Sequence, residues 1–324
     1  MVESQLIVAR RWSARSPLAW IAALALALVE TGCLTEKSEP ATASGKTPVL
    51  VAVEPIADLV ERVGGDRVVV FALTPQGKDP ETYAPTPGDL KSIVASKVFF
   101  RVGLPVEERF ANNIASLAPS AKSVDLRAEL EPLPDAHSRG ESDDDFDDDS
   151  IDAHVWTSPA NARAMVPKIA DALAELDPDF AESYRSAAAK LDEELRALQE
   201  ETSERLVPWN GRAFFVFHPA YGYYAREFHL EQVAIEFEGK APRPKDLQKL
   251  VERAKREGVR ALIVQPEFNR SAAEALAAEA GAALVEHSPL QKDYFANVRS
   301  LTDAIVGSFG EKTPVENEEN DNER

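Results

Sequence analysis

The sequence predicts an α/β protein of two lobes, each a parallel sheet covered by helices, joined by one long rigid helix with a cleft between the lobes. Three observations carry this. Short β-branched runs alternate with helical patterns from Pro48 onward. The same rhythm restarts near Ala213. Between the two series, Asp179 to Leu206 runs without Gly or Pro.

The first lobe (48–157) opens with a strand at 49–53, and a helix at 56–63 closes on Gly64-Gly65. Strands follow at 67–73, 97–102 and 122–126. Thr86 caps a helix with Pro87 at its first position and Asp89 in its first turn. These strands are apolar on both faces, the pattern of a covered parallel sheet. The helical connector (158–209) starts at Ser158-Pro159. Its long helix carries Tyr184, Ala188, Leu191, Leu195 and Leu198 at alternating steps of four and three, one apolar stripe. At about 1.5 Å per residue it is roughly 40 Å long, enough to run down both lobes. The second lobe (210–309) has strands at 213–218, 231–237, 261–266 and 283–287, with Gly258 and Gly281 ending two of its helices. No G-x-G-x-x-G follows a strand, which argues against a dinucleotide site.

A net charge of −19 argues against nucleic acid as a partner, because phosphate binding needs a basic face. The acid is concentrated. Glu141 to Asp152 holds eight acidic residues and no basic one, inside an insert near 135–151, and the tail from 310 to 324 is acidic as well. Both read as solvated. Residues 1–33 read as an export signal. Arg10, Arg11 and Arg15 precede twelve uncharged residues, Leu18 to Val29, and small residues then lead to Cys33, the one cysteine. This is the form of a bacterial lipoprotein signal, with Glu30 standing where an aliphatic residue is usual. It predicts lipidation of Cys33, a membrane anchor through that lipid, and a periplasmic or cell-surface location. Residues 34–47 read as a flexible tether.

In "GKDPETYAPTPGDL", Asp79-Pro80 and Pro85-Thr86-Pro87 leave Glu81 and Tyr83 little conformational freedom. His154 lies in "IDAHVWTSP", and His218 closes "FFVFH". Glu286, His287 and Ser288 end the last strand. Each alone reads more readily as a structural histidine or a solvated carboxylate than as a ligand. Together they bring imidazole and carboxylate to the carboxyl ends of strands, where open α/β sheets bind ligands. Such donors suit Zn²⁺, and also Mn²⁺ or Fe²⁺.

Four segments, in order, resemble the solute-binding proteins of zinc and manganese ABC importers, the cluster A-I metal receptors: "LTPQGKDPETYAPTPGDLKSI", "DAHVWTSPANARAM", "FVFHPAYGYYAREFHLEQVAIE" and "SPLQKDYFANVRSLTDAI". The resemblance covers about Pro48 to Phe309. It implies a metal-binding cleft between the lobes, with ligands at Glu81, His154, His218 and a fourth position at Ser288. It also implies a receptor, not an enzyme, that captures a divalent metal, Zn²⁺ first and Mn²⁺ second, and delivers it as a monomer to an ABC permease. The acidic insert falls where zinc-type members carry a histidine-rich loop. The sequence departs from the family at Glu81, where histidine is usual, and at Ser288, where aspartate is usual. Serine is a poor neutral ligand, so the fourth donor is Ser288, a water, or His287 or Glu286 after a one-residue shift. Three other readings remain: a degraded site that binds a different metal or none, a metal-binding adhesin or buffer without a permease, and a zinc hydrolase. The last lacks H-E-x-x-H and G-x-S-x-G.

Overall fold

Two four-stranded parallel sheets with the same strand order organise the chain. The structure, a computed structural model, describes residues 45–84, 86–135, 151–236, 240 and 242–310. The predicted signal with Cys33, most of the tether, the acidic insert from 136 to 150 and the tail from 311 to 324 lie outside the described residues. Among those described, no helix is long and apolar enough to cross a membrane.

In the first lobe, β1 (Thr47–Val51), β2 (Val68–Ala72), β3 (Val98–Arg101) and β4 (Lys122–Asp125) lie in the order β2-β1-β3-β4. Helices α1 (Glu54–Gly64), α2 (Pro87–Ala95) and α3 (Pro105–Leu117) connect them. Val49, Leu50 and Val51 of the central strand β1 are at most 1% exposed, so both faces of the strand are covered, as the unbroken apolar run requires. Helix α1 buries Ile56, Leu59, Val60 and Val63, spaced three, one and three apart, on one face. Each such side chain contributes roughly 1.5–3 kcal/mol by leaving water. The helix stops at Gly65, whose φ of 53° suits a residue without Cβ.

Helices α4 (Pro159–Leu176) and α5 (Ala181–Leu206) form the connector. The predicted stripe of α5 is buried throughout, and Thr202 and Leu206 extend it. Helix α5 packs on α4, on α1 of the first lobe and on α9 of the second, so one rigid element touches both lobes.

In the second lobe, β5 (Ala213–Val216), β6 (Glu231–Ala234), β7 (Ala261–Val264) and β8 (Ala283–Glu286) lie in the order β6-β5-β7-β8. Helices α6 (Gly222–Glu227), α7 (Pro244–Arg256), α8 (Ser271–Ala280) and α9 (Tyr294–Phe309) cover the sheet. Phe214 and Val216 join the core shared with the connector, while Ala213, Phe215 and Phe217 pack with Val251 and Leu276 on the other side. This is the alternation of a strand buried on both faces. The lobes also touch directly. Lys292 Nζ meets Glu61 Oε1 at 2.7 Å, and Trp156 Nε1 donates to Pro289 O at 2.9 Å.

All eight predicted strands are present, but each ends one to three residues before its predicted end. The cause is visible at β5. Phe217 N still donates to Ile263 O of β7, but His218 N donates instead to the Gln265 side chain. The chain therefore leaves the ladder just where the predicted site residues begin. His154 does not sit at a sheet edge. It lies between a lone bridge, Pro134 to Ile151, and a short 3₁₀ turn at Val155–Thr157.

Candidate metal centre

Glu81 reaches the cleft on the loop between β2 and α2. Asp79 Oδ1 accepts from Glu81 N at 2.8 Å and closes a tight turn around it. Arg109 of α3 donates to the carbonyls of Pro80 and Glu81 at 3.1 and 2.5 Å. Downstream, the predicted cap forms a reciprocal box between Thr86 and Asp89, and Tyr83 Oη also donates to Asp89. The loop is thus fixed at both ends.

His154 is buried, and its Nδ1–H donates to Asp152 Oδ1 at 2.8 Å. The same oxygen accepts His154 N. Burial alone would lower the pKa of His154. The Asp152 hydrogen bond and charge, with the charge of Glu81, outweigh it and raise the pKa. His218 is held on every side. Its Nδ1–H donates to Glu236 Oε1 at 2.5 Å, and Gln265 grips its backbone N and O at 3.0 and 2.7 Å. The Phe268 ring stacks on the imidazole at 4.5 Å.

With each Nδ1 committed to a carboxylate, Nε2 is the nitrogen each ring turns to the cleft, and in the neutral tautomer it offers a lone pair. The two Nε2 atoms stand 3.4 Å apart, and His218 Nε2 stands 3.6 Å from Glu81 Oε1. Two bonds of about 2.05 Å at a tetrahedral angle set their donors about 3.3 Å apart. The donor atoms of Glu81, His154 and His218 all lie within 4.8 Å of one another, the one such group of three among the described residues. The donor set, two imidazoles and a carboxylate, suits zinc, with manganese as a harder-donor alternative.

The remaining predicted residues stand outside this group. His287, expected as an alternative donor, is turned toward α9. Its Nδ1 is 2.9 Å from Tyr221 Oη, and its Nε2 is 3.2 Å from Asn297 O, so both nitrogens are engaged. Burial pushes its pKa down to about 4. Ser288 Oγ donates to Glu267 Oε1 at 2.5 Å and accepts from Leu290 N at 3.1 Å. Glu286 is exposed beside Arg270, at 3.6 Å. Sequence reasoning missed Asp152, Glu236 and Gln265. Glu236, a carboxylate inside "QVAIEF", carried a signal, since a buried strand has no use for an unpaired charge. Asp152 was counted as the end of the solvated acidic run and is in fact 4% exposed.

The family model of the periplasmic zinc-uptake complex component A, ZnuA, matches residues 49–308. The chain belongs to this family. A crystal structure of ZnuA is 30% identical and covers 82% of this chain and 99% of its own, with a TM-score of 0.75. A zinc-bound ZnuA deletion mutant gives 0.76 at the same identity and coverage. The manganese-binding lipoprotein MntA of Halalkalibacterium halodurans is 28% identical over 65% of this chain and 68% of its own length. The zinc-binding protein AdcA of Streptococcus pyogenes is 25% identical over 81% of this chain, which spans 56% of AdcA. The family consists of the substrate-binding receptors of metal importers, so the expected two-lobe architecture and receptor class both hold.

Proposed function

We propose that this chain is the extracytoplasmic receptor of an ABC metal importer. It binds one divalent ion, zinc in preference to manganese, on Glu81, His154 and His218. It then hands the ion to a membrane permease. The chain acts as a monomer without catalysis, tethered by lipid on Cys33. The observation that carries the reading is the spacing of 3.4 and 3.6 Å among three donors from three separate loops, with both imidazoles oriented by carboxylates. That arrangement is the carboxylate–histidine–metal pattern. The names of ZnuA, AdcA and MntA support the cargo.

Zinc and manganese titration of the full-length chain tests this. Zinc should bind one to one. At about 100 times its Kd it should add about 2.7 kcal/mol of stability, or roughly 5 °C in melting temperature. His154→Ala and His218→Ala should each lower zinc affinity by more than about 100-fold, beyond the loss typical of an outer partner. Unchanged affinity in both variants would remove the site.

A further inference from the structure

Glu81, His154 and His218 supply three donors, and a tetrahedral zinc site takes four. The resemblance put the fourth at position 288, but a serine hydroxyl is a weak neutral donor, and this one is already committed. Ser288 Oγ donates to Glu267 Oε1 at 2.5 Å. The other carboxylate oxygen, Glu267 Oε2, is buried and has no hydrogen-bond partner among the described residues. A buried anionic oxygen without a donor is costly and rare unless a cation is its partner.

The position of Glu267 supports such a partner. It follows β7, which lies between β5 and β8 in the sheet. The loop bearing Glu267 is therefore flanked by those bearing His218 and Ser288. Its neighbours in sequence enclose His218: Gln265 holds the histidine backbone at both N and O, and Phe268 stacks on the ring. Across the cleft, Glu267 and Ser288 line one groove with Gln76 and Gly77, at the start of the loop that carries Glu81. Glu267 stands outside the group whose donors lie within 4.8 Å, so a rotation of its flexible side chain must accompany binding.

We propose that Glu267 is the fourth metal ligand, its carboxylate turning from Ser288 toward the three donors on binding, and that Ser288 is the positioning residue that holds it beside the site until then. The inference rests on the metal-capture reading above. It accounts for the serine at 288 as the donor that holds a carboxylate from the adjacent loop. It also gives the centre two carboxylates and two imidazoles, which narrows the gap between zinc and manganese.

Titration of the full-length chain with Zn²⁺ and with Co²⁺, whose visible spectrum reports its donor set, tests the proposal. The variants are Glu267→Gln, Ser288→Ala, and the double variant Glu267→Gln/Ser288→Asp, with His218→Ala as control. Glu267→Gln should weaken zinc by more than about tenfold and change the cobalt spectrum, because a neutral amide replaces an anionic donor. Ser288→Ala should weaken zinc less. The double variant should recover affinity by placing a carboxylate at 288. Wild-type affinity and spectrum in Glu267→Gln, with binding lost in His218→Ala, would overturn the role of Glu267 and leave the metal site standing. Wild-type affinity in His218→Ala as well would overturn both.

Discussion

Glu81 and His218 face each other across the cleft at 3.6 Å, yet they are held in opposite ways. The Glu81 side chain is 27% exposed and that of His218 is 3% exposed. Glu81 is fixed through its backbone, by the Asp79 turn and the Arg109 clamp, with its carboxylate left to the cleft. His218 is fixed through its side chain, which touches Glu236 and Phe268, and through a backbone gripped by Gln265. The lesson is that stiffness at a solvent-facing rim comes from turn chemistry, whereas stiffness in the interior comes from satisfied polar partners.

That contrast can be tested from the inside outward. Glu236→Gln removes the charged acceptor of His218 Nδ1–H and should weaken zinc by about 10–100-fold, measured by competition with a chelating dye. The rim should be more forgiving. Arg109→Ala deletes two bonds to loop carbonyls, each worth about 0.5–1.5 kcal/mol. Partial rescue by Asp79 should limit the loss to about tenfold or less. A loss equal to that of Glu236→Gln would mean that the loop has little stiffness of its own.

The smallest effect is on stability, and it separates the lobes by sign. In the first lobe, burial raises the pKa of Glu107 from 4.5 to about 7, against hydrogen bonds from Val102 and Gly103. Between those values the folded state holds a proton that the unfolded state has lost, so stability falls as pH rises from 4.5 to about 7. In the second lobe, His287 is lowered from 6.5 to about 4, so the unfolded state binds the extra proton and stability falls as pH drops through that window. Across pH 4 to 7, Glu107→Gln should therefore remove a fall in melting temperature with rising pH, and His287→Gln a fall with dropping pH, each by a few degrees.

The fold was legible because its signals are local. Strand runs, the Thr86-Pro87 cap and the spacing of Tyr184 to Leu198 each depend on a few adjacent residues, and all appear in the structure. Glu81, His154 and His218 were picked out by their joint placement and by the resemblance of their segments, not by any one stiff segment, and the structure brings their donors within 4.8 Å of one another. Their supports were not. Asp152 is one carboxylate in a run of eight, and only tertiary burial separates it from its solvated neighbours. Gln265 lies some fifty residues beyond His218 and meets it only because β5 and β7 pair. His287 misled because adjacent residues leaving a strand point to opposite faces. Ser288 turns to Glu267, and His287 turns to Tyr221 and Asn297.

On the proposed ligand set, the spacing of the three donors also governs what the cleft refuses. Calcium requires about six to eight oxygens at roughly 2.3–2.6 Å, and magnesium keeps a near-octahedral shell rich in water. Two buried imidazole nitrogens 3.4 Å apart, each locked by a carboxylate, supply neither the oxygens nor the room for such a shell. Because the Glu81 loop is ordered by its own turn, it cannot easily widen to fit a larger ion. On the proposed ligand set, that unwillingness to adapt disfavours calcium and magnesium against a small ion with affinity for imidazole nitrogen.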